Sequence, residues 1–295
     1  MATGPYLRVS RIAAGAADRV GLTMFPVLIK VGTITLDTYY VFWMLALSLA
    51  MLWSIRRFRL YGVDDGEARR VIGWAFFAML LGARAFEYLW NFDAYYEDPS
   101  LLLDLRHGGL SEVGAFTGAF LAAFLLCWRN PKLPFQRLCD VVAPPAIFTM
   151  ALGRWGCFFN GCCIGIPTLH RFGVHFPHDP ASVMRHPTQI YYSIASLAIL
   201  VILLTVEHFI LRHRSRENRE KMLGSASVIT PLGLILYSIM RLSIDGLRAE
   251  GLLEGLGFSH WVLLAALPLE VLWLDVSLWS NRTAVSTSTP AKDKA

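Results

Sequence analysis

Seven apolar runs, each close to 20 residues, dominate this chain: roughly 35–55, 71–91, 109–128, 138–160, 188–211, 225–245 and 259–279. Coiled as an α-helix, a run of that length matches the hydrocarbon thickness of a bilayer and satisfies its backbone amides and carbonyls internally. The pattern predicts an all-α integral membrane protein with seven transmembrane helices. Composition agrees: 55% of residues are hydrophobic and 17% charged, where a soluble domain carries about 25% charged residues. The fourth run is the weakest, because Pro144 and Pro145 interrupt it. Neighbouring helices can satisfy the backbone groups that a proline frees.

Loop charges orient the spans. Arg56, Arg57, Arg59, Arg69 and Arg70 follow the first; Arg129, Lys132 and Arg137 follow the third; Arg212, Arg214, Arg216, Arg219 and Lys221 follow the fifth. The other three loops are poorer in basic residues. The positive-inside rule then places the C-terminus in the cytoplasm and the N-terminus outside. Arg8, Arg11, Arg19 and Lys30 run against that rule, and an interfacial amphipathic helix on the outer leaflet would reconcile them. The expected division is an N-terminal periplasmic or interfacial segment over 1–34, a seven-helix domain over 35–279, and a disordered cytoplasmic tail over 280–295. No leader peptide is legible, so the first span is expected to act as its own insertion signal. The net charge of +5 reads as basic loops beside anionic membrane lipid, with no nucleic-acid partner.

Given that orientation, Asp37, Arg84, Glu87, Glu112, Arg154, Arg241 and Asp245 all fall in the outer half of the membrane. Charges at such depth cost at least ~2.5–3.5 kcal/mol each and usually face a cavity. Arg84 with Glu87, and Arg241 with Asp245, have the spacing of structural ion pairs. Arg154 has no acid within a turn. Arginines converging with few acids favour an anion, because guanidinium presents a planar fork to phosphate oxygens. The outer-half cavity therefore reads as a pocket for a phospholipid headgroup.

Glycines surround these charges. The small residues of "GGLSEVGAFTGAF" (Gly108–Phe120) have the spacing of close helix packing. Gly161 and Gly165 lie where the chain leaves the fourth span, and are expected to turn free N–H groups toward a bound anion.

Five segments taken in order resemble the prolipoprotein diacylglyceryl transferase family. In "GRWGCFFNGCCIG", Gly153, Arg154, Gly156, Phe158, Asn160 and Gly165 match its signature. "RHPTQIYY" (Arg185–Tyr192) and "MRLSIDGLR" (Met240–Arg248) resemble two later motifs, and "LDTYY" and "LGARAFEYLWNF" two earlier ones. The resemblance implies transfer of a diacylglyceryl group from phosphatidylglycerol to the lipobox cysteine of a prolipoprotein signal peptide, releasing glycerol phosphate, in the bacterial inner membrane and with no cofactor. It implies that Arg154 and Arg241 stabilise the departing phosphate. Tyr39, Arg84, Gly108, Gly109, Asn160, Gly165, His186, Gln189, Asp245 and Arg248 fall on its substrate-binding positions.

The chain departs from the family at four of its positions. Aligned through Ser111, Val113 stands at the family's catalytic histidine, leaving His107 from the literal "HGGL" or Glu112 as the base. Cys157 and Cys162 replace the signature's first asparagine and its glutamate, and Tyr192 replaces another glutamate. The three cysteines Cys157, Cys162 and Cys163 are open to small-residue packing, a disulfide, or metal or redox chemistry. No metal-ligand set is assigned to them. His170, His175 and His178 read as a solvated loop. Two other functions remain open, a lipid-binding or transport protein without turnover and a membrane thiol oxidoreductase.

Overall fold

The computed structural model describes residues 24–31, 34–61, 63–102, 111–130, 133, 135–176, 179–180, 183–212, 227–249 and 258–286. Two short strands, β1 (Val27–Val31) and β2 (Ile34–Asp37), precede the helices α1 (Thr38–Leu60), α2 (Asp65–Trp90), α3 (Phe92–Glu97), α4 (Glu112–Arg129), α5 (Phe135–Asn160), α6 (Thr188–Arg212), α7 (Ile229–Asp245) and α8 (Phe258–Ser286). Each of the seven apolar runs thus carries a long helix. Five of these are long and apolar enough to cross a membrane: Thr38–Arg59, Asp65–Leu89, Phe135–Asn160, Thr188–Ile210 and His260–Asn281. Val113–Arg129 is a shorter apolar helix, and α7 spans 17 residues. Leu81, Val201 and Leu269 are more than 60% exposed, an arrangement suited to lipid rather than water. The chain is a multi-pass membrane protein.

Three expectations need correction. The fold is mostly but not wholly helical, because β1 and β2 pair antiparallel, Ile29 opposite Leu36 and Val31 opposite Ile34. β-Branched residues at Val27, Ile29, Val31, Ile34 and Thr35 favour extended backbone, which overrides an interfacial helix at 27–31 and a first span starting at 35. Residues 1–23 lie outside the described set. The last helix also passes residue 279 and reaches Ser286, so the helical part extends into the expected tail.

The chain divides into two compact units. One holds Met1–Ala50, Ala143–Arg214 and Val228–Thr283; the other holds Met51–Val142, Ser215–Ser227 and Ala284–Ala295.

In the second unit α2 and α4 pack at backbone contact. A Cβ on Gly82 would meet the Gly114 carbonyl oxygen at 2.4 Å, and one on Gly118 would meet the Ala78 oxygen at 2.1 Å. Only glycine fits there, as the small-residue spacing predicts. The N-terminus of α2 is capped by Asp64, whose side chain accepts from the Gly66 amide at 2.8 Å. That cap starts the helix ahead of the apolar run.

The paired prolines inside α5 leave a specific deficit. Without N–H groups, Pro144 and Pro145 cannot bond the carbonyls of Asp140 and Val141 four residues earlier. Arg57 supplies the missing donors: Nε gives 2.9 Å to the Val141 oxygen and Nη2 3.3 Å to the Asp140 oxygen. Arg57 is only 3% exposed. The Asp140 carboxylate itself accepts from the Ser227 hydroxyl.

In the first unit α6 packs on α7, and residues 161–176 and 183–187 fold back on each other. Arg185 bonds both oxygens of Asp179 at 2.7 Å, and this pairing, against some burial, raises its pKa further. Isolated bridges join Gly165 to Arg248, and Arg185 to both Pro167 and Val174.

Candidate active site

Arg154 projects from the last turns of α5 and is 7% exposed. Its guanidinium carbon lies 4.4 Å from the centre of the Tyr192 ring on α6. Among the described residues it has no carboxylate partner. Tyr192 is the hub: its hydroxyl donates to Asp245 Oδ1, and its ring is also 5.9 Å from the Arg241 guanidinium. Asp245 in turn gathers basic side chains. Arg241 Nε donates to Oδ2 at 2.7 Å, Arg248 Nη1 to Oδ1 at 3.5 Å, and His260 Nε2 stands 3.7 Å from Oδ2.

The helical spacing explains the cluster. Arg241, Asp245 and Arg248 recur at i, i+4 and i+7, so they share one face of α7 and its exit turn. Gln189 and Tyr192 recur at i, i+3 at the start of α6. Two guanidinium groups, Arg241 and Arg248, pair with the one carboxylate of Asp245, and Arg154 joins the cluster through the Tyr192 ring. The Arg241–Asp245 ion pair expected from spacing is formed.

A second set of contacts ties the cluster to the corner after α5. Gln189 Nε2 donates to the Cys162 carbonyl at 2.6 Å, while its Oε1 is buried without a hydrogen-bond partner among the described residues. Asn160 closes α5, two residues before Cys162. His186 Nδ1 lies 3.1 Å from the Tyr191 hydroxyl. Tyr39, opening α1, backs onto Gly156 and stands within electrostatic reach of Cys157, Cys162 and Cys163. The Cys163 thiol is drawn below the ordinary cysteine range, first by hydrogen bonds with Cys157 and Cys162; burial opposes this, and Arg248 and Arg154 add to it.

Gly161 and Gly165 do not act as expected. Their amides are already committed, Gly161 N–H to the Phe158 oxygen and Gly165 N–H to the His186 oxygen, both at 3.1 Å. Gly161 makes the left-handed turn that ends α5, at φ +71°. A Cβ on Gly165 would sit 2.4 Å from the His186 oxygen and 3.0 Å from that of Leu247. Glycine is needed there because the backbone threads between two others.

The remaining candidates fall elsewhere. Arg84 and Glu112 belong to the second unit. Arg84 lies 5.4 Å from the Tyr95 ring centre, and Glu87 accepts from Asn91 at 2.7 Å. Glu112 begins α4 directly after its cap, Ser111. His107, Gly108, Gly109 and His178 lie outside the described residues. Sequence reasoning missed two participants. Tyr192 was legible as an aromatic three residues beyond Gln189; His260, a lone histidine at a helix start, gave no signal.

Comparison with known proteins adds independent findings. The model of the prolipoprotein diacylglyceryl transferase family matches residues 26–274. A phosphatidylglycerol–prolipoprotein diacylglyceryl transferase from Clostridium novyi is 32% identical over 238 residues, covering 79% of this chain and 87% of its own. The protein of the same description from Synechococcus elongatus is 30% identical over 256 residues, covering 84% and 86%. One from Finegoldia magna is 26% identical over 238 residues, covering 81% and 86%.

Proposed function

The chain belongs to the prolipoprotein diacylglyceryl transferase family, and from that premise we propose that it moves a diacylglyceryl group from phosphatidylglycerol to the lipobox cysteine of a prolipoprotein in the bacterial inner membrane. The acceptor sulfur attacks the glyceryl carbon, the carbon–oxygen bond to phosphate breaks, and glycerol phosphate leaves with that electron pair. The thiol proton passes to a base. The observation that carries the reading is Arg154, a buried guanidinium stacked on Tyr192 with no carboxylate partner among the described residues. A positioned cation of this kind stabilises charge developing on a leaving phosphate.

Arg241 and Arg248, oriented by Asp245, add positive potential on one side of the headgroup. Gln189 Oε1, a buried acceptor in need of a donor, suits a glycerol hydroxyl. Asn160, His186 and Tyr39 line the approach, and Gly165 holds the corner that carries Arg248. Arg84, Gly108 and Gly109 complete the substrate-binding set by their resemblance to family positions. The seven helices cross the membrane with the N-terminus outside, which puts the arginines at outer-leaflet depth. Either His107 or Glu112 takes the thiol proton, because Val113 cannot; His107→Ala and Glu112→Gln variants separate the two.

The test combines purified protein, radiolabelled phosphatidylglycerol and a signal peptide ending in a lipobox cysteine. Thioether-linked lipid on the peptide is expected. Tight lipid binding without transfer would instead favour the non-catalytic reading that Val113 invites.

A further inference from the structure

Cys157, Cys162 and Cys163 bring their three sulfurs within 4.8 Å of one another. Nothing in the transfer chemistry uses them. Cys157 is buried in the last turn of α5, and the other two are half-buried in the turn that follows. That turn is closed by its own backbone: the Cys162 amide donates to the Cys157 carbonyl at 3.1 Å. The Cys162 thiol donates to the same carbonyl at 3.6 Å. Cys163 is held at φ +58°, and it is the one described non-glycine residue with positive φ. Left-handed backbone costs a side-chain-bearing residue on the order of 1–3 kcal/mol. Here it swings the third sulfur back toward the other two.

We propose that these three thiols form a site for one thiophilic d10 cation, of the zinc or cuprous class, bound through three thiolates. Thiolate ligands select such ions over hard cations. A metal–sulfur distance of about 2.3 Å puts tetrahedral ligand sulfurs roughly 3.8 Å apart, so the trio closes by small side-chain rotations. For a divalent ion, three thiols lose three protons and the complex carries one negative charge. The positive charges of Arg154 and Arg248 act on Cys163 and offset it. The ion would fasten the end of α5 to the turn bearing Gly165, and so to its bridge with Arg248. This site does not depend on the transferase reading, because its readout is metal binding.

The test uses the full-length protein, purified in detergent, fully reduced under argon and titrated with Co2+, with Zn2+ as competitor. One Co2+ per chain, seen by a sulfur-to-cobalt charge-transfer band that Zn2+ abolishes, supports the site. The band is lost in Cys157→Ser, Cys162→Ser and Cys163→Ser and kept in Cys127→Ser and Cys139→Ser. Should Cys157→Ser fail to fold, the half-buried Cys162→Ala and Cys163→Ala decide the matter. No band in the reduced protein, or a band that survives loss of both Cys162 and Cys163, overturns the proposal. So does a Cys157–Cys162 or Cys157–Cys163 disulfide whose reduction yields no metal uptake.

Discussion

Two arginines are buried in this membrane protein to almost the same degree, and they serve different ends. Arg57, in the second unit, spends its donors on carbonyls orphaned by Pro144 and Pro145. Arg154, in the first, stacks on an aromatic ring with no carboxylate beside it among the described residues. Depth alone therefore does not mark a functional charge. What separates them is whether the protein itself provides the counterpart: Arg57 is answered by backbone carbonyls, and Arg154 has no carboxylate counterpart among the described residues.

That contrast can be broken at either end. The largest effect is expected from Arg154→Ala and Arg241→Ala, each lowering transfer by about 100-fold or more, the scale of one positioned donor in a charged transition state. Arg154→Ala should leave the melting temperature in detergent near that of the wild type. Retained turnover in both variants would contradict the stabilisation of the leaving phosphate by Arg154 and Arg241.

Arg57→Ala should do the reverse, lowering the melting temperature by leaving two buried carbonyls unmatched at about 1–3 kcal/mol each. Restoring the amides with Pro144→Ala and Pro145→Ala in the same chain should recover much of that loss. A melting temperature unmoved by Arg57→Ala would show that the prolines need no compensation.

Gly118→Ala tests packing away from either arginine. Its new Cβ, 2.1 Å from the Ala78 oxygen, should force α2 and α4 apart and cost roughly 1–3 kcal/mol by the same melting assay. The smallest effect belongs to the exposed Arg59–Asp65 pair, where Asp65→Asn should leave the melting curve unchanged, as solvated ion pairs contribute little.

Much of this contrast was legible in the sequence. Seven apolar runs found seven helices because hydrophobic length is imposed by the bilayer, whatever the tertiary packing. Arg154 stood out because no acid lay within a turn of it. The close approach of α2 and α4 followed from the spacing of Gly114 and Gly118. What failed depended on partners distant in sequence. Arg57 counted only as a basic loop residue, since nothing local says that a proline pair 87 residues on will need its donors. Tyr192 read as a departure from a family glutamate, yet its ring supports Arg154 and its hydroxyl holds Asp245. The amides of Gly161 and Gly165 looked free for an anion because their acceptors, at Phe158 and His186, are set by how the loop folds back.

The most direct measurement compares lipid affinity rather than turnover. Wild-type protein and Arg154→Gln, matched in melting temperature, are titrated with phosphatidylglycerol and with diacylglycerol, which has the same tails and no phosphate. Charge-assisted hydrogen bonds contribute about 1.5–3 kcal/mol, so phosphatidylglycerol binding should weaken at least about tenfold while diacylglycerol binding stays the same. Equal phosphatidylglycerol affinity in the two proteins would contradict the assignment of Arg154 as the phosphate-holding residue.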